Sequence, residues 1–437
     1  MPNLAVITLG CKVNQYESAA FQDAAVAAGY RIASHGEEAD CVIVNTCSVT
    51  NRAAMQSRQA IRQAIRNNPA AKLIITGCHA QVASAEIAAM AELAGRQACL
   101  VGNGEKEKIA GLLAASSWPP TIVSDIAHVS EIARLPTRHF AERTRAFLRA
   151  QDGCESFCSY CIVPFTRGKS RSLPLSEALA QAEIFAKSGY REIVITGIHV
   201  GYYGRDLPGK IRIINLLEEL SGTFPHIRFR LSSIEPTEMT DELLALFCGR
   251  KNLMPHLHIP LQSGDDTILA AMGRRYRAVD FAAVIARCRE ALPEAALGCD
   301  VMVGFPGETE SLFANTRDFI AEIAPDYLHV FPYSPRPGTR AATFSGQVHG
   351  REKQRRAADL RALSEALRLD FYRRNLGKTR QILMENDIGA TGLRAALTDN
   401  YIHVGVSSSK PAGSVMTARL TAIDSGHVVA EVCGHED

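Results

Sequence analysis

The sequence predicts an α/β protein in three parts: a doubly wound parallel α/β sheet, an incomplete (β/α)6 barrel, and a small OB-like β-barrel at the end. Three observations predict it. Short apolar runs alternate with helical patterns over residues 1–115. A regular strand–helix rhythm resumes over 146–345, and about five short β patterns crowd into the C-terminal stretch after 373. The first alternation makes a parallel sheet with helices on its faces. Six parallel units approach an eightfold barrel without completing it, and closely spaced short strands close on themselves.

Composition narrows the class. The chain has 437 residues, 46% hydrophobic and 22% charged, with a net charge of +2, so overall charge points to no partner. Twelve cysteines without a secretory signal fit metal or redox chemistry in a reducing compartment better than disulfides. Thr8-Leu9-Gly10-Cys11 loosely resembles a lipoprotein cleavage site, but no basic region and no sufficient apolar core precede it. No apolar run has the length of a membrane span. A cytoplasmic protein without a membrane partner is expected.

Within 1–115, residues 4–9, 41–45, 73–76 and 98–101 read as strands, and 15–28, 50–67 and 83–94 as helices. Cys11, Cys47 and Cys78 each fall within two residues of a strand end. In an open parallel sheet all such ends share one ligand-binding edge, so three thiols distant in sequence converge there with a fourth position open. Cys41 and Cys99 lie at or inside strand starts and read as small buried hydrophobes. Isolated Cys248, Cys288, Cys299 and Cys433 read the same way. His79, beside Cys78, is either an incidental loop residue or a hydrogen-bonding neighbour of that site. Arg58, Arg62 and Arg66 form a basic stripe at helical spacing, suited to phosphates or to plain solvation. Residues 116–145 read as a basic linker.

The barrel strands are expected at 146–150, 192–196, 228–232, 256–260, 298–303 and 327–331. Directly after the first comes Cys154-Glu155-Ser156-Phe157-Cys158-Ser159-Tyr160-Cys161, a CxxxCxxC loop. Iron–sulfur clusters normally take four thiolates, so three suggest a 4Fe-4S cluster with one iron open to a ligand. The alternatives are a chance cluster of buried cysteines or zinc, whose loops usually come in paired sets; no second set lies nearby. Other strand ends carry small or polar residues that let a nucleoside approach closely: Thr196 and Gly197, Ser232 and Glu235, Gln262 and Ser263, Gly304 and Phe305. Phe331 to Thr339, with Arg336, form an aromatic, proline-stiffened loop that stacks a base or joins domains. A basic helix over 346–372 leads to the β domain at 373–437. Arg373, Arg374 and Lys378, with Arg58, Arg62 and Arg336, are candidate RNA contacts.

Several segments together resemble the radical S-adenosylmethionine (SAM) methylthiotransferases across essentially the whole chain. They are Thr8 to Ser18, Asn45-Thr46-Cys47, Thr76-Gly77-Cys78, Gly153 to Ser172 and Val303 to Thr309. The resemblance implies a radical SAM barrel followed by a TRAM domain, for which the C-terminal part is short. Within the family, Thr8 to Ser18, Thr196 to Gly201 and Ser232 to Pro236 look like the branch that modifies N6-threonylcarbamoyladenosine at tRNA position 37. The isopentenyladenosine branch usually reads Gly-Cys-Gln-Met-Asn after its first strand, and the branch acting on a ribosomal-protein aspartate reads Gly-Cys-Pro-Lys-Asn. The resemblance further implies two 4Fe-4S clusters, one on Cys154, Cys158 and Cys161 that cleaves SAM, the other on Cys11, Cys47 and Cys78 that carries the sulfur. It implies a monomer that binds the tRNA anticodon loop and takes electrons from a donor such as flavodoxin or ferredoxin. A non-enzymatic iron–sulfur RNA-binding protein is the reading from another class.

Overall fold

In the computed structural model, which describes residues 1–34, 36–141, 143–388 and 392–433, the first α/β rhythm forms a six-stranded parallel sheet. Its strands are β1 (Asn3–Thr8), β2 (Arg31–Ile32), β3 (Cys41–Thr46), β4 (Lys72–Gly77), β5 (Ala98–Val101) and β6 (Thr121–Ile122), in spatial order β2-β1-β3-β4-β5-β6. The two edge strands are two residues long, too short to leave a periodic signal in the sequence. Helices α1 (Lys12–Ala27) and α2 (Asn51–Asn67) follow β1 and β3. The single helix expected at 83–94 is instead a series of short turns, and α3 (Cys78–Val82) starts at the cysteine itself.

The stretch read as a linker is built into the structure. It contributes β6, and its Ile126, Ile132, Leu135 and Phe140 are buried. The Phe140 ring lies 5.5 Å from Phe147, 5.6 Å from Phe185 and 6.3 Å from Tyr16. One continuous apolar core therefore runs from α1 through Phe140 into the barrel. Burial of this kind is the main favourable contribution to folding, so the first two parts are fused through their interiors.

The barrel strands are β7 (Ala146–Arg149), β10 (Glu192–Thr196), β11 (Arg228–Leu231), β12 (His256–His258), β13 (Ala296–Val303) and β14 (Tyr327–Pro332). They form two parallel three-stranded sheets, β7-β10-β11 and β12-β13-β14. The sheets are laced together by the Met254 amide donating to Phe229 O at 2.8 Å and the Ile234 amide to His258 O at 2.9 Å. A small antiparallel ribbon, β8 (Gln151–Asp152) with β9 (Arg171–Ser172), clasps the ends of the cysteine loop.

The long helix Gly350–Asn375 runs back along β14, where Ser364 Oγ accepts from the Leu328 amide at 2.9 Å. Five strands then close into a barrel: β15 (Thr379–Ile388), β16 (Arg394–Thr398), β17 (His403–Val406), β18 (Val415–Asp424) and β19 (His427–Val432), in the order β15-β16-β17-β19-β18. The C-terminal part is thus long enough to close, because β15 and β18 are ten-residue strands that each pair with two neighbours. Among the described residues no helix is long and apolar enough to cross a membrane.

Candidate functional site

β1, β3 and β4 are adjacent and parallel, so their C-terminal ends lie side by side, and Cys11, Cys47 and Cys78 follow them. Gly10 has φ +101°, and a Cβ there would stand 2.8 Å from Cys47 Sγ; only glycine turns the chain into α1 so close to the second thiol. The loops are pinned by side chains. Asn14 Nδ2 donates to Leu9 O at 2.7 Å and to Thr46 O at 3.1 Å. Ser57 Oγ donates to Cys47 O at 2.8 Å and accepts from its amide at 3.0 Å. The Thr46 hydroxyl donates to Thr76 O at 2.6 Å and accepts from the Ala80 amide at 3.1 Å.

The protein crowded around Cys11, which still opens to the surface, pushes its thiol up with Arg167 opposing, and burial takes Cys47 to about 11, helped by the nearby Cys78. The buried cations Arg167 and Lys106 lie within electrostatic reach of Cys78, and Arg167 also of Cys11. A cysteine ligates metal as the thiolate, not the thiol, so loading releases protons and these cations stabilise the charge that remains. The three sulfurs are spread too widely for one ion; among the described residues only His258, Asp300 and His329 place three ligand atoms within 4.8 Å of one another. His79 is buried with both ring nitrogens unpartnered, and burial together with Arg58 holds it down at about 4. A wide thiol triad beside buried cations and a neutral orphan imidazole fits an iron–sulfur cluster.

The second triad sits at the C-terminal end of β7. Cys154 Sγ lies 3.4 Å from His199 Nδ1 and accepts from the Ser156 amide at 3.4 Å. His199 Nε2 meets Glu238 Oε1 at 2.8 Å, and its ring stacks on Tyr202 at 3.6 Å. Burial raises the Cys154 thiol, but the His199 and Ser156 contacts outweigh it, so the net shift is downward. Arg274 Nη1 donates to Cys158 Sγ at 3.6 Å and is paired with Glu235. Burial pushes Cys161 up to about 12. The loop is anchored from outside: the Ser159 amide donates to Met272 O at 2.8 Å, and Ser159 O accepts from the Ala341 amide at 2.8 Å. Gln151 works beneath it, its Oε1 accepting from the Ile198 and His199 amides at 3.0 and 2.8 Å. Three thiols with N–H donors, the Ser156 amide and Arg274, aimed at two of the sulfurs fit a 4Fe-4S cluster, and sequence reasoning missed Arg274 and the neighbouring His199.

The two triads share one buried network. Arg167 Nη1 donates to Glu17 Oε1 at 3.0 Å and Asp152 Oδ1 at 2.9 Å, and its Nη2 to Asn14 Oδ1 at 2.6 Å. Glu17 also holds Lys106. Asn103 Nδ2 donates to Thr166 O at 2.6 Å and stands 3.9 Å from Cys78 Sγ. A sequence signal existed: the buried face of α1 carries Asn14 and Glu17 beside Val13, Tyr16 and Phe21.

The other strand-end candidates divide. Gly197, Ser232, Glu235 and Gln262 are partly open at the barrel's C-terminal end. Gly197 packs on Gln151, Glu235 is spent on Arg274, and Gln262 (φ +67°) donates its amide to Asp300 O at 2.7 Å. Thr196 is buried within the strand end. Ser263 is fully buried, with its hydroxyl 3.0 Å from Thr316 Oγ1, and it shapes the loop rather than facing the opening. Gly304 abuts Lys353 of the long helix, and Phe305 is fully buried against Tyr333 and Phe344.

The basic candidates are largely paired within the chain. Arg58 meets Glu86 at 3.4 Å, Arg62 meets Glu92 at 2.9 Å, Arg373 meets Asp370 at 2.6 Å and Lys378 meets Glu294 at 2.7 Å. Arg374 is held by buried Asp326. Exposed pairs of this kind are worth little and exchange readily. Arg336 is buried instead, its Nη1 donating to Asn51 Oδ1 at 2.7 Å, so it joins the barrel to the first residue of α2. All twelve thiols are free, with Cys41, Cys99, Cys288 and Cys299 buried and Cys248 and Cys433 exposed.

Residues 148–320 match the family model described as the radical SAM superfamily, and residues 3–102 match the uncharacterized protein family UPF0004. The chain is 39% identical over 411 residues to the threonylcarbamoyladenosine tRNA methylthiotransferase MtaB of Bacillus subtilis (strain 168), covering 92% of this chain and 90% of that protein. It is 35% identical to the tRNA-2-methylthio-N(6)-dimethylallyladenosine synthase of Sphingopyxis alaskensis, covering 87% and 86%. The radical SAM methyltransferase TsrM of Kitasatospora setae superposes with a TM-score of 0.55 at 14% identity, over 78% of this chain and 76% of that one.

Proposed function

The chain belongs to the radical SAM tRNA methylthiotransferases, and from that membership we propose that it methylthiolates C2 of N6-threonylcarbamoyladenosine at position 37 of tRNA. The observation that carries the reading is the pair of thiol triads, each at a parallel-strand edge, joined through the one network around Arg167. Cys154, Cys158 and Cys161 hold the cluster that binds SAM, and Cys11, Cys47 and Cys78 hold the auxiliary one. When bound, these groups supply one-electron cleavage of SAM and a transferable sulfur, chemistry that reaches an aromatic C–H where acid–base catalysis does not.

The chain's own part is to hold, orient and enclose. The Ser156 amide and Arg274 direct N–H groups at the Cys154 and Cys158 sulfurs and so bias their charge, with the His199 ring beside the first. Gln151 and the β8–β9 clasp fix the loop, and the shared core around Phe140 sets the spacing of the two edges. Such positioning separates a productive approach from a wasted radical. The base has to leave its stack to reach the site, as in other enzymes that act on a base, while the closed C-terminal barrel beside the basic helix suits the surrounding single-stranded loop. A small electron-transfer protein supplies the reductant.

The test is nucleoside mass spectrometry after an anaerobic reaction with the iron- and sulfide-reconstituted protein, SAM and a reductant. The tRNA is supplied with threonylcarbamoyl, with dimethylallyl or unmodified at position 37. A methylthio adduct on the threonylcarbamoylated tRNA alone is expected; an adduct on the dimethylallyl form alone moves the chain to the other class of its relatives. Cys158→Ala is expected to form no 5′-deoxyadenosine while still binding tRNA.

A further inference from the structure

β12, β13 and β14 lie side by side, with Asp300 of β13 in register with His329 of β14 and His258 of β12 in register with Gly298, two residues before Asp300. Leu257, Cys299, Val301 and Leu328 turn into the apolar core. By strand alternation His258, Asp300 and His329 share the other face.

On that face His258 Nε2 approaches Asp300 Oδ1 at 2.8 Å and His329 Nδ1 approaches the same oxygen at 3.3 Å. One ligand atom from each residue falls within 4.8 Å of the other two. In neither contact does the ring N–H line up with the oxygen as a hydrogen bond requires. Two imidazole nitrogens thus crowd one carboxylate oxygen without bonding to it. An ion standing about 2.0–2.2 Å from each donor sets such donors about 3 Å apart, near the two spacings seen.

The surroundings suit metal ligands. The Tyr327 hydroxyl lies 3.1 Å from His258 Nδ1 and 2.7 Å from His256 Nε2. The far nitrogen of His258 is therefore engaged and its ring fixed, as outer partners fix ligating histidines. The side chain of His258 is 7% exposed, that of Asp300 20% and that of His329 53%, so the group is anchored at one end and open at the other. No cysteine takes part, which separates it from both thiol triads.

We propose that His258, Asp300 and His329 form a metal centre of their own, for one divalent transition-metal ion. Two imidazoles and a carboxylate suit zinc or ferrous iron, whereas magnesium and calcium take oxygen ligands. Three protein ligands leave coordination positions on the open side, which water or an oxygen donor of a bound ligand fills.

The test uses tag-free reconstituted holoenzyme, freed of loosely held metal, as wild type, His329→Ala and Tyr327→Phe. Zinc sulfate is titrated in; calorimetry reads the affinity, plasma mass spectrometry the zinc per chain, and zinc-edge X-ray absorption the ligand atoms. Iron and sulfide are measured alongside, so that zinc displacing a cluster is seen. Wild type is expected to take up one zinc per chain with nitrogen and oxygen ligands only. His329→Ala is expected to lose that zinc while keeping its iron and sulfide. Tyr327→Phe, which removes only the outer hydroxyl, is expected to bind about 10–100-fold more weakly. An anaerobic titration with Fe2+ runs in parallel, and uptake of either ion that depends on His329 supports the site. Uptake of neither ion, sulfur among the zinc ligands, or uptake unchanged in His329→Ala overturns it.

Discussion

Gly153 stands at φ +76°, and a Cβ on it would come within 1.9 Å of Lys169 O. Nothing but glycine fits where the chain leaves β8 for the cysteine loop, since both the left-handed backbone and the carbonyl oppose a side chain. Gly153→Ala is expected to spoil the radical SAM triad while leaving the triad in the first sheet intact. Iron per chain should then fall by about half, and SAM cleavage should be lost. Full iron content in this variant would show that the loop tolerates the shift. His199 acts at the same scale: Glu238 on one nitrogen fixes which ring edge faces Cys154, and Tyr202 stacks on its face.

Among the elements, the barrel strands depart from an apolar interior. Glu192 of β10 is fully buried with Arg228 and Arg230 of β11. Burial alone would raise its carboxyl, but Arg230 and Arg228 together lower it from 4.5 to about 2. A depressed folded-state pKa means the ionised form stabilises the fold above the unfolded value. That contribution, about 3 kcal/mol at 1.36 kcal/mol per unit, is lost as the pH falls from about 4.5 to about 2. Thermal midpoints across this window should drop for wild type and drop less for Glu192→Gln. At neutral pH the same substitution leaves two buried guanidiniums short of their anion and should cost about 3–5 kcal/mol, read by denaturant unfolding. A flat wild-type profile would mean the charges are screened by water.

For the molecule as a whole, Arg167 is the joint. It binds Asn14 and Glu17 of α1 and Asp152 of β8, so one guanidinium ties the first sheet to the barrel between the two triads. Arg167→Met keeps the side chain's length but leaves buried Glu17 and Asp152 short of one cation, with Lys106 still on Glu17 and Arg149 and Arg171 still 3.7 and 3.6 Å from Asp152, at a cost toward the low end of about 3–5 kcal/mol. Because the two parts also share an apolar core around Phe140, calorimetry of wild type should show them unfolding together. The variant should split that transition in two, with the first sheet melting earlier. A single transition at an unchanged midpoint would show that the apolar contact alone couples them.

The positions of Cys11, Cys47, Cys78, Cys154, Cys158 and Cys161 were legible in the chain because strand ends are local events, marked by a β-rich run and a glycine or polar break. The alternation of strand and helix, the six barrel units and the closure of the last strands follow from the same short-range patterning. What the cysteine loops are embedded in was not legible. Arg167 and Glu17 are 150 residues apart in sequence, and no periodicity links a basic residue to a carboxylate at that distance. Ser263 and Phe305 looked like ligand contacts from their loop chemistry, yet packing turned both inward. Arg374 and Lys378 looked free to meet RNA, yet Asp326 and Glu294 come from other elements to meet them. Local sequence determines which residues stand at an edge; the tertiary structure decides which of their charges are already answered, because that balance is summed over space rather than along the chain.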